Sequence, residues 1–258
     1  MIELKNLSVG YEKHCVIPDI NLIIEPGLIY TIVGKNGCGK STLLKTCSGL
    51  LAPQSGSVLL NGKVLSAYPA TRRARAISYL SQSTGSPNIT VERLMAHARF
   101  PHMSYSKKLR PKDFEIIHNA LAEMNAACYA DHSLRELSGG ERQRVYLAMQ
   151  LAQDTPILLL DEPTTYLDIE YQLSLMEHLQ KLRAQGKTII MVLHDLQQAL
   201  KYSDRIIAID SGRKVYTGTP DEMLTNGILK HIFHVDIFKS EYTIELKSPA
   251  AAAARQLS

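Results

Sequence analysis

Two stretches of this chain set small and charged residues at the spacing that phosphate chemistry requires. Residues 34–42 read GKNGCGKST, a G-x-x-x-x-G-K-[ST] pattern between an apolar run, Leu28–Val33, and a segment of helical character, Ser41–Leu50. Gly34, Gly37 and Gly39 let the backbone wrap closely, so that amide N–H groups point inward. The helix that follows adds the positive end of its dipole. In that frame Lys40 reaches the β- and γ-phosphates of ATP and Ser41 offers its hydroxyl to Mg²⁺, with Lys35, Asn36, Cys38 and Thr42 completing the cradle. The Cys38 thiol, inside the loop, is expected to be accessible, so that a maleimide would block ATP binding. The second stretch, ILLLDE at 157–162, is an apolar strand ending in two carboxylates. Buried carboxylates are costly unless paired or bound to metal, and the C-terminal end of a parallel strand faces a ligand crevice. Asp161 suits Mg²⁺, through water, and Glu162 suits the base that polarises an attacking water.

A third stretch, LSGGERQR from Leu137, carries Ser138 and Glu141 in the S-x-x-E spacing of a capping box. A helix should begin there, with Val145, Ala148, Met149 and Ala152 forming one apolar face. Within one chain nothing in this segment requires a phosphate.

These stretches need a scaffold, and the patterning supplies one. Residues 2–9 and 16–24 alternate as half-buried strands, Pro26-Gly27 turns the chain, and Ser57–Leu60 and residues 77–82 read as further strands. From Thr90 to about Asp131, apolar residues recur at helical spacing (Val91, Leu94, Met95, Ala98; then Phe114, Ile117, Leu121, Met124), with breaks at Pro101 and Pro111. This reads as an inserted helical lobe, about 88–150 once the helix at Ser138–Gln153 is included. Strands at Ile157–Leu160 and Thr188–Leu193 then alternate with helices at Ile169–Ala184 and Leu196–Tyr202, before a hairpin around Ser211-Gly212. The fold class is therefore α/β: a mostly parallel sheet covered on both faces, with an antiparallel β subdomain and the helical lobe. Residues 1–247 form one domain in this reading, and 248–258, alanine-rich, a frayed tail.

Composition bounds the rest. With 258 residues, 45% hydrophobic and 21% charged, the chain can bury a substantial core. No apolar run approaches the roughly 18–20 residues that cross a bilayer, and the start shows no secretion signal, so a cytoplasmic location is expected unless a partner holds the protein to a membrane. A net charge of +4, evenly spread, gives no argument for nucleic acid. Cys15, Cys38, Cys47 and Cys128 lack metal or disulfide spacing and read as free thiols. His231 and His234 are close, in an amphipathic segment, and read as surface or packing residues.

The phosphate loop, LSGG and the acidic strand end, in this order, resemble the ATP-binding-cassette (ABC) ATPases, over about residues 1–240. The resemblance implies further roles. Gln82, which ends the strand ISYLSQ, is similar to the family's Q-loop residue, which touches Mg²⁺ and the attacking water. His194 resembles the switch histidine at the γ-phosphate. Asp168 in TTYLD resembles the D-loop residue at a dimer interface, and Tyr11 stands where the family stacks an aromatic on adenine. Ser138, Gly139 and Gly140 would meet the γ-phosphate held by a second subunit. Many family members have Gln where this chain has Glu141, at a position that mainly supports the helix.

Three kinds of ABC protein compete: an importer ATPase, a soluble protein acting on ribosomes or DNA, and an enzyme modifying a small molecule. One cassette, no long heptad insertion, no second catalytic site and no fused membrane domain favour the first. TVERLMAHARFPH (90–102) and DEPTTYLDIEYQ (161–172) resemble ATPases of iron-siderophore, haem and cobalamin importers. The expectation is ferric-chelate uptake, with cobalamin or haem as alternatives. It includes a homodimer of ATPase subunits, a two-copy permease, an external binding protein, and a location at the cytoplasmic face of the membrane.

Overall fold

The computed structural model describes residues 1–12, 14–82, 85–103, 108–212 and 214–234. Residues 235–247 and the expected frayed tail, 248–258, lie outside them. Strands β1 (Ile2–Tyr11), β2 (His14–Ile24) and β3 (Ile29–Gly34) lead into helix α1 (Lys40–Ser48), then β4 (Ser55–Leu60), β5 (Lys63–Val64), α2 (Ala70–Ala76) and β6 (Ile77–Leu80). Helices α3 (Val91–Ala98), α4 (Pro111–Glu123) and α5 (Gly139–Ala152) follow. The chain then alternates through β7 (Ile157–Asp161), α6 (Ile169–Ala184), β8 (Thr188–Val192) and α7 (Leu196–Tyr202). It closes with β9 (Arg205–Asp210), β10 (Lys214–Gly218), α8 (Pro220–Thr225) and α9 (Ile228–Phe233).

Two sheets result. One is antiparallel, in the order β2-β1-β4-β5; the other runs β10-β9-β3-β8-β7-β6 and is parallel except for the β9–β10 hairpin. The central strands β3, β7 and β8 are buried along their whole length, as strands covered on both faces must be. Their period-2 alternation divides the apolar core. Ile157, Leu159, Tyr30, Ile32, Ile190 and Val192 face the antiparallel sheet and α1. Leu158, Leu160, Val33, Ile189 and Met191 face a second cluster that continues without a break into Val91, Met95, Ile117, Leu121 and Val145 of the lobe. The lobe helices thus share a core with the parallel sheet.

A buried ion pair ties the lobe together. Arg99, capping α3, donates through Nε to Asp113 Oδ1 of α4 (3.0 Å) and through Nη1 to the Ala152 carbonyl at the end of α5 (2.7 Å). Burial pushes the Asp113 carboxyl up, but the Arg110 backbone N–H and the Arg99 guanidinium outweigh it and hold the group below the usual carboxylate range.

Three expectations need correction. Phe114, expected on the apolar face of its helix, is exposed, while Ile117, Leu121 and Met124 are buried. Strand β6 stops at Leu80, so Gln82 stands exposed beyond the strand end. Helix α1 ends at Ser48 rather than Leu50, because Gly49 takes a left-handed φ of 77° and its N–H bonds Lys45 and Thr46 carbonyls. Helix α2 (ATRRARA) leaves no signal in the sequence, because it buries no residue and has no apolar stripe.

Candidate nucleotide site

Parallel strands place their C-terminal ends on one edge, and the candidate residues gather there by topology alone: the phosphate loop after β3, Asp161 and Glu162 at the end of β7, His194 after β8 and Gln82 after β6. Within the loop, Lys40 is buried and donates to the Gly34 carbonyl (2.8 Å) and the Lys35 carbonyl (3.0 Å), which satisfies its ammonium. The glycines answer to close approach. A Cβ on Gly39, which has φ 103°, would sit 2.7 Å from Val16 Cγ1 and 2.8 Å from Ile17 Cγ1, so β2 packs directly on the loop. Tyr11 is paired with His14 two residues before that contact, and is exposed at this end of the antiparallel sheet.

Cys38 departs from expectation. It is 5% exposed, and burial pushes its thiol up from the ordinary range. The thiol is packed inside the loop: a Cβ on Gly34 would lie 2.7 Å from its sulfur. The expectation of an accessible, maleimide-sensitive Cys38 is therefore withdrawn. Of the four free cysteines, Cys15 and Cys128 are exposed, and Cys47 is buried with its pKa pushed up to about 12.

Alternation along β7 decides where the carboxylates go. Asp161 shares a face with Ile157 and Leu159, the face that α1 covers, and so meets the first turn of that helix: Ser41 Oγ donates to Asp161 Oδ1 at 2.8 Å. Tyr79, one strand away in register with Leu159, donates its hydroxyl to Asp161 Oδ2 at 3.1 Å. Burial raises the Asp161 pKa; the bonds from Ser41 and Tyr79 pull it down, and neighbouring Glu162 pushes it up again. The Tyr79 phenol is also raised, by burial and by Asp161. Glu162 leaves the strand with a left-handed φ of 53° and is 8% exposed. His194 Nε2 lies 2.5 Å from Glu162 Oε1, and Thr165 Oγ1 donates to Oε2 at 3.3 Å, so both carboxylate oxygens are oriented.

Ser138 forms the expected capping box: its hydroxyl accepts from the Glu141 N–H (3.3 Å), and the Glu141 carboxylate accepts from the Ser138 N–H (2.7 Å). Those bonds, with one to Tyr129, hold the Glu141 carboxyl low. The start of this helix lies on the loop that carries Asp168. A Cβ on Gly139 would be 3.7 Å from the Tyr166 side chain, and one on Gly140 3.0 Å from the Tyr166 carbonyl. Asp168 itself caps α6, accepting from the Tyr171 N–H at 3.0 Å.

Two residues of this region escaped the sequence reading. Tyr79 was hidden as one more apolar strand residue. Gln143, 1% exposed, donates to the Pro163 carbonyl at 3.1 Å and so joins α5 to the segment just after Glu162. A polar residue among the buried positions of a helix was the available signal.

Comparison with known proteins agrees with this geometry. A family model described as "ABC transporter" matches residues 17–165. The iron(3+)-hydroxamate import ATP-binding protein FhuC of Bacillus subtilis (strain 168) is 43% identical over 237 residues, covering 91% of this chain and 88% of that protein. The ferric enterobactin transport ATP-binding protein FepC of Escherichia coli (strain K12) is 42% identical, covering 89% and 85%. The dimeric structure of a post-hydrolysis state of the ATP-binding cassette MJ0796 bound to ADP and Pi superposes with a TM-score of 0.77 at 27% identity, covering 85% of this chain and 99% of that one. A phosphate loop bonded to a buried aspartate, an oriented glutamate beside it, and matches that run through sequence and fold lead to one conclusion: this chain belongs to the ABC transporter family, as one of its ATPases.

Proposed function

We propose that this chain is the ATP-hydrolysing subunit of a membrane importer that takes up a ferric siderophore or a similar iron chelate. The observation that carries this reading is the identity of 43% and 42%, across about nine-tenths of the chain, to two ATP-binding proteins of ferric-siderophore import. Among the described residues no helix is long and apolar enough to cross a membrane, and in this reading a permease supplies the translocation path. We place the chain at the cytoplasmic face, held there by that permease, with two ATPase subunits serving two permease copies and a binding protein delivering the chelate.

In this reading residues 34–42 hold the phosphates, Lys40 exchanges its carbonyl bonds for phosphate oxygens, and Tyr11 stacks on adenine. Ser41 Oγ and Asp161 Oδ1, 2.8 Å apart, are hard oxygen donors suited to Mg²⁺. The described residues hold no group of three or more His, Cys, Asp or Glu that could bind a metal ion alone, so Mg²⁺ would share its ligands with the phosphates and Gln82. Bound there, it would neutralise charge on the phosphate oxygens. Glu162, oriented by His194 and Thr165, polarises the attacking water, and His194 stands ready for the γ-phosphate. Ser138, Gly139 and Gly140 of one copy would close over the nucleotide held by another, with Asp168 at the interface. Support for pairing comes from the dimeric cassette with ADP and Pi, which covers 85% of this fold.

The test is uptake of radiolabelled ferric chelates, haem and cobalamin in cells lacking the gene, restored with wild type or with Glu162→Gln. Iron-chelate entry restored by wild type alone supports the proposal. Restoration of haem or cobalamin entry only would replace the cargo and keep the mechanism. Restoration of none would overturn the importer assignment.

A further inference from the structure

The two histidines near the end of the described chain are exposed, as expected, and each makes a side-chain contact. Helix α9 is anchored by buried Leu229 and Ile232, and His231 Nε2 lies 3.4 Å from Asp210 Oδ2 at the end of β9. His234 caps α9 in a left-handed conformation, φ 57°, with its N–H on the Lys230 carbonyl at 2.9 Å. That conformation delivers its ring to the phosphate loop, where Nε2 is 3.0 Å from Lys35 Nζ. An ammonium has only protons to give, so in this hydrogen bond Lys35 Nζ donates and His234 Nε2 accepts. Lys35 is in turn bonded through its backbone: its carbonyl accepts from Lys40 Nζ (3.0 Å) and from the Cys38 N–H (3.3 Å). The side chain of one loop residue thus meets α9, while its carbonyl meets the lysine expected to bind phosphate.

The same wall touches the loop elsewhere. Gly212, in the β9–β10 turn, is buried, and a Cβ there would lie 2.4 Å from the Val16 carbonyl and 3.5 Å from the Cys38 carbonyl. A Cβ on Gly34 would lie 2.6 Å from the Ile209 carbonyl. The end of β9, its turn and α9 therefore back the loop, and the turn also meets β2 at Val16.

We propose that His234 is a positioning residue for the phosphate loop. By accepting from Lys35 it fixes the second residue of the loop, and with it the carbonyl bonded to Lys40, in the arrangement that receives nucleotide phosphates. The proposal rests on residues 34–42 being the phosphate site.

The experiment is ATP hydrolysis by the purified full chain carrying His234→Ala, His234→Gln, Lys35→Met or the His234→Ala/Lys35→Met pair, with thermal midpoints measured alongside. Loss of one solvent-exposed hydrogen bond predicts a rise in KM for ATP of about three- to tenfold in His234→Ala and in Lys35→Met, the kcat of His234→Ala changing less than about twofold. His234→Gln, which keeps an acceptor, should restore most of the affinity. The pair should be no worse than either single change, because both remove one contact. An unchanged KM in both single variants, multiplying effects in the pair, or a Gln variant no better than Ala would overturn the proposal. If His234→Ala does not fold, Lys35→Met and its combination with His234→Gln read the same contact with α9 intact. Lys40→Ala in the same assay separates the two readings: normal KM there would refute the phosphate site itself, whatever His234 does.

Discussion

The phosphate loop and the start of α5 are both glycine-rich helix beginnings, yet they are bonded in opposite ways. The loop is held by distant parts of the chain. Ser41 bonds Asp161, 120 residues away, and Lys35 meets His234, 199 residues away. The Ser138 segment instead spends its cap locally, on Glu141 three residues on. A site bonded across the fold is shaped before any ligand arrives, whereas a locally capped helix start presents the same surface whatever lies opposite. The difference fits the proposed roles: a loop that would bind nucleotide within one subunit, and a segment that would complete the site when a second copy approaches.

Substitutions can break or sharpen this contrast. The largest effect is expected from Glu162→Gln, which keeps the hydrogen-bonding shape but cannot accept a proton. Steady-state phosphate release should fall about a hundredfold or more, and gel filtration with saturating Mg-ATP should show a stable dimer. A monomer under those conditions would break the two-copy picture. Next come Lys40→Ala and Ser138→Arg, measured together by nucleotide titration and hydrolysis. Lys40→Ala should weaken ATP binding about tenfold or more, whereas Ser138→Arg should leave binding unchanged and abolish turnover. Equal loss of binding in both would place the two segments in one subunit's site.

Stability of the lobe can be separated from the loop. Asp113→Ala leaves the buried Arg99 guanidinium without its carboxylate and should cost about 3–5 kcal/mol in denaturant unfolding, with nucleotide affinity little changed. Because the folded Asp113 carboxyl is held below its ordinary 3.8, its contribution is full above that pH and disappears as pH falls through the lowered value. Wild type and variant should therefore converge in stability on the acid side. The smallest effect is expected from maleimide at neutral pH. Cys15 and Cys128 should label quickly and Cys38 slowly, with ATP binding unchanged while Cys38 stays unlabelled, as followed by peptide mass mapping. Rapid labelling of Cys38 would mean that the loop opens far more than its packing suggests.

Much of this was legible beforehand, for definite reasons. Motifs such as GKNGCGKST and LSGGERQR carry their geometry with them, because a glycine-lined helix start and a capping box are local devices. Helix α6 ran from Ile169 to Ala184 as expected, since its cap and its apolar spacing agreed. Helix α2 was missed because it buries no apolar stripe. Phe114 was misplaced because spacing identifies a helix face but not how far its neighbours extend to cover it.

The sequence by itself determined the order of the elements, the local shape of each loop and the chemical types that gather at the strand ends. Only the tertiary structure decided which of those groups touch. Asp161 meets Ser41 and Tyr79 because strand alternation and parallel register turn it toward α1, and Cys38 is buried because β9, its turn and β2 close around the loop. His234 reaches Lys35 because α9 docks on the sheet. Contacts between residues far apart in the sequence follow from packing of whole elements, and no local pattern of residues encodes them.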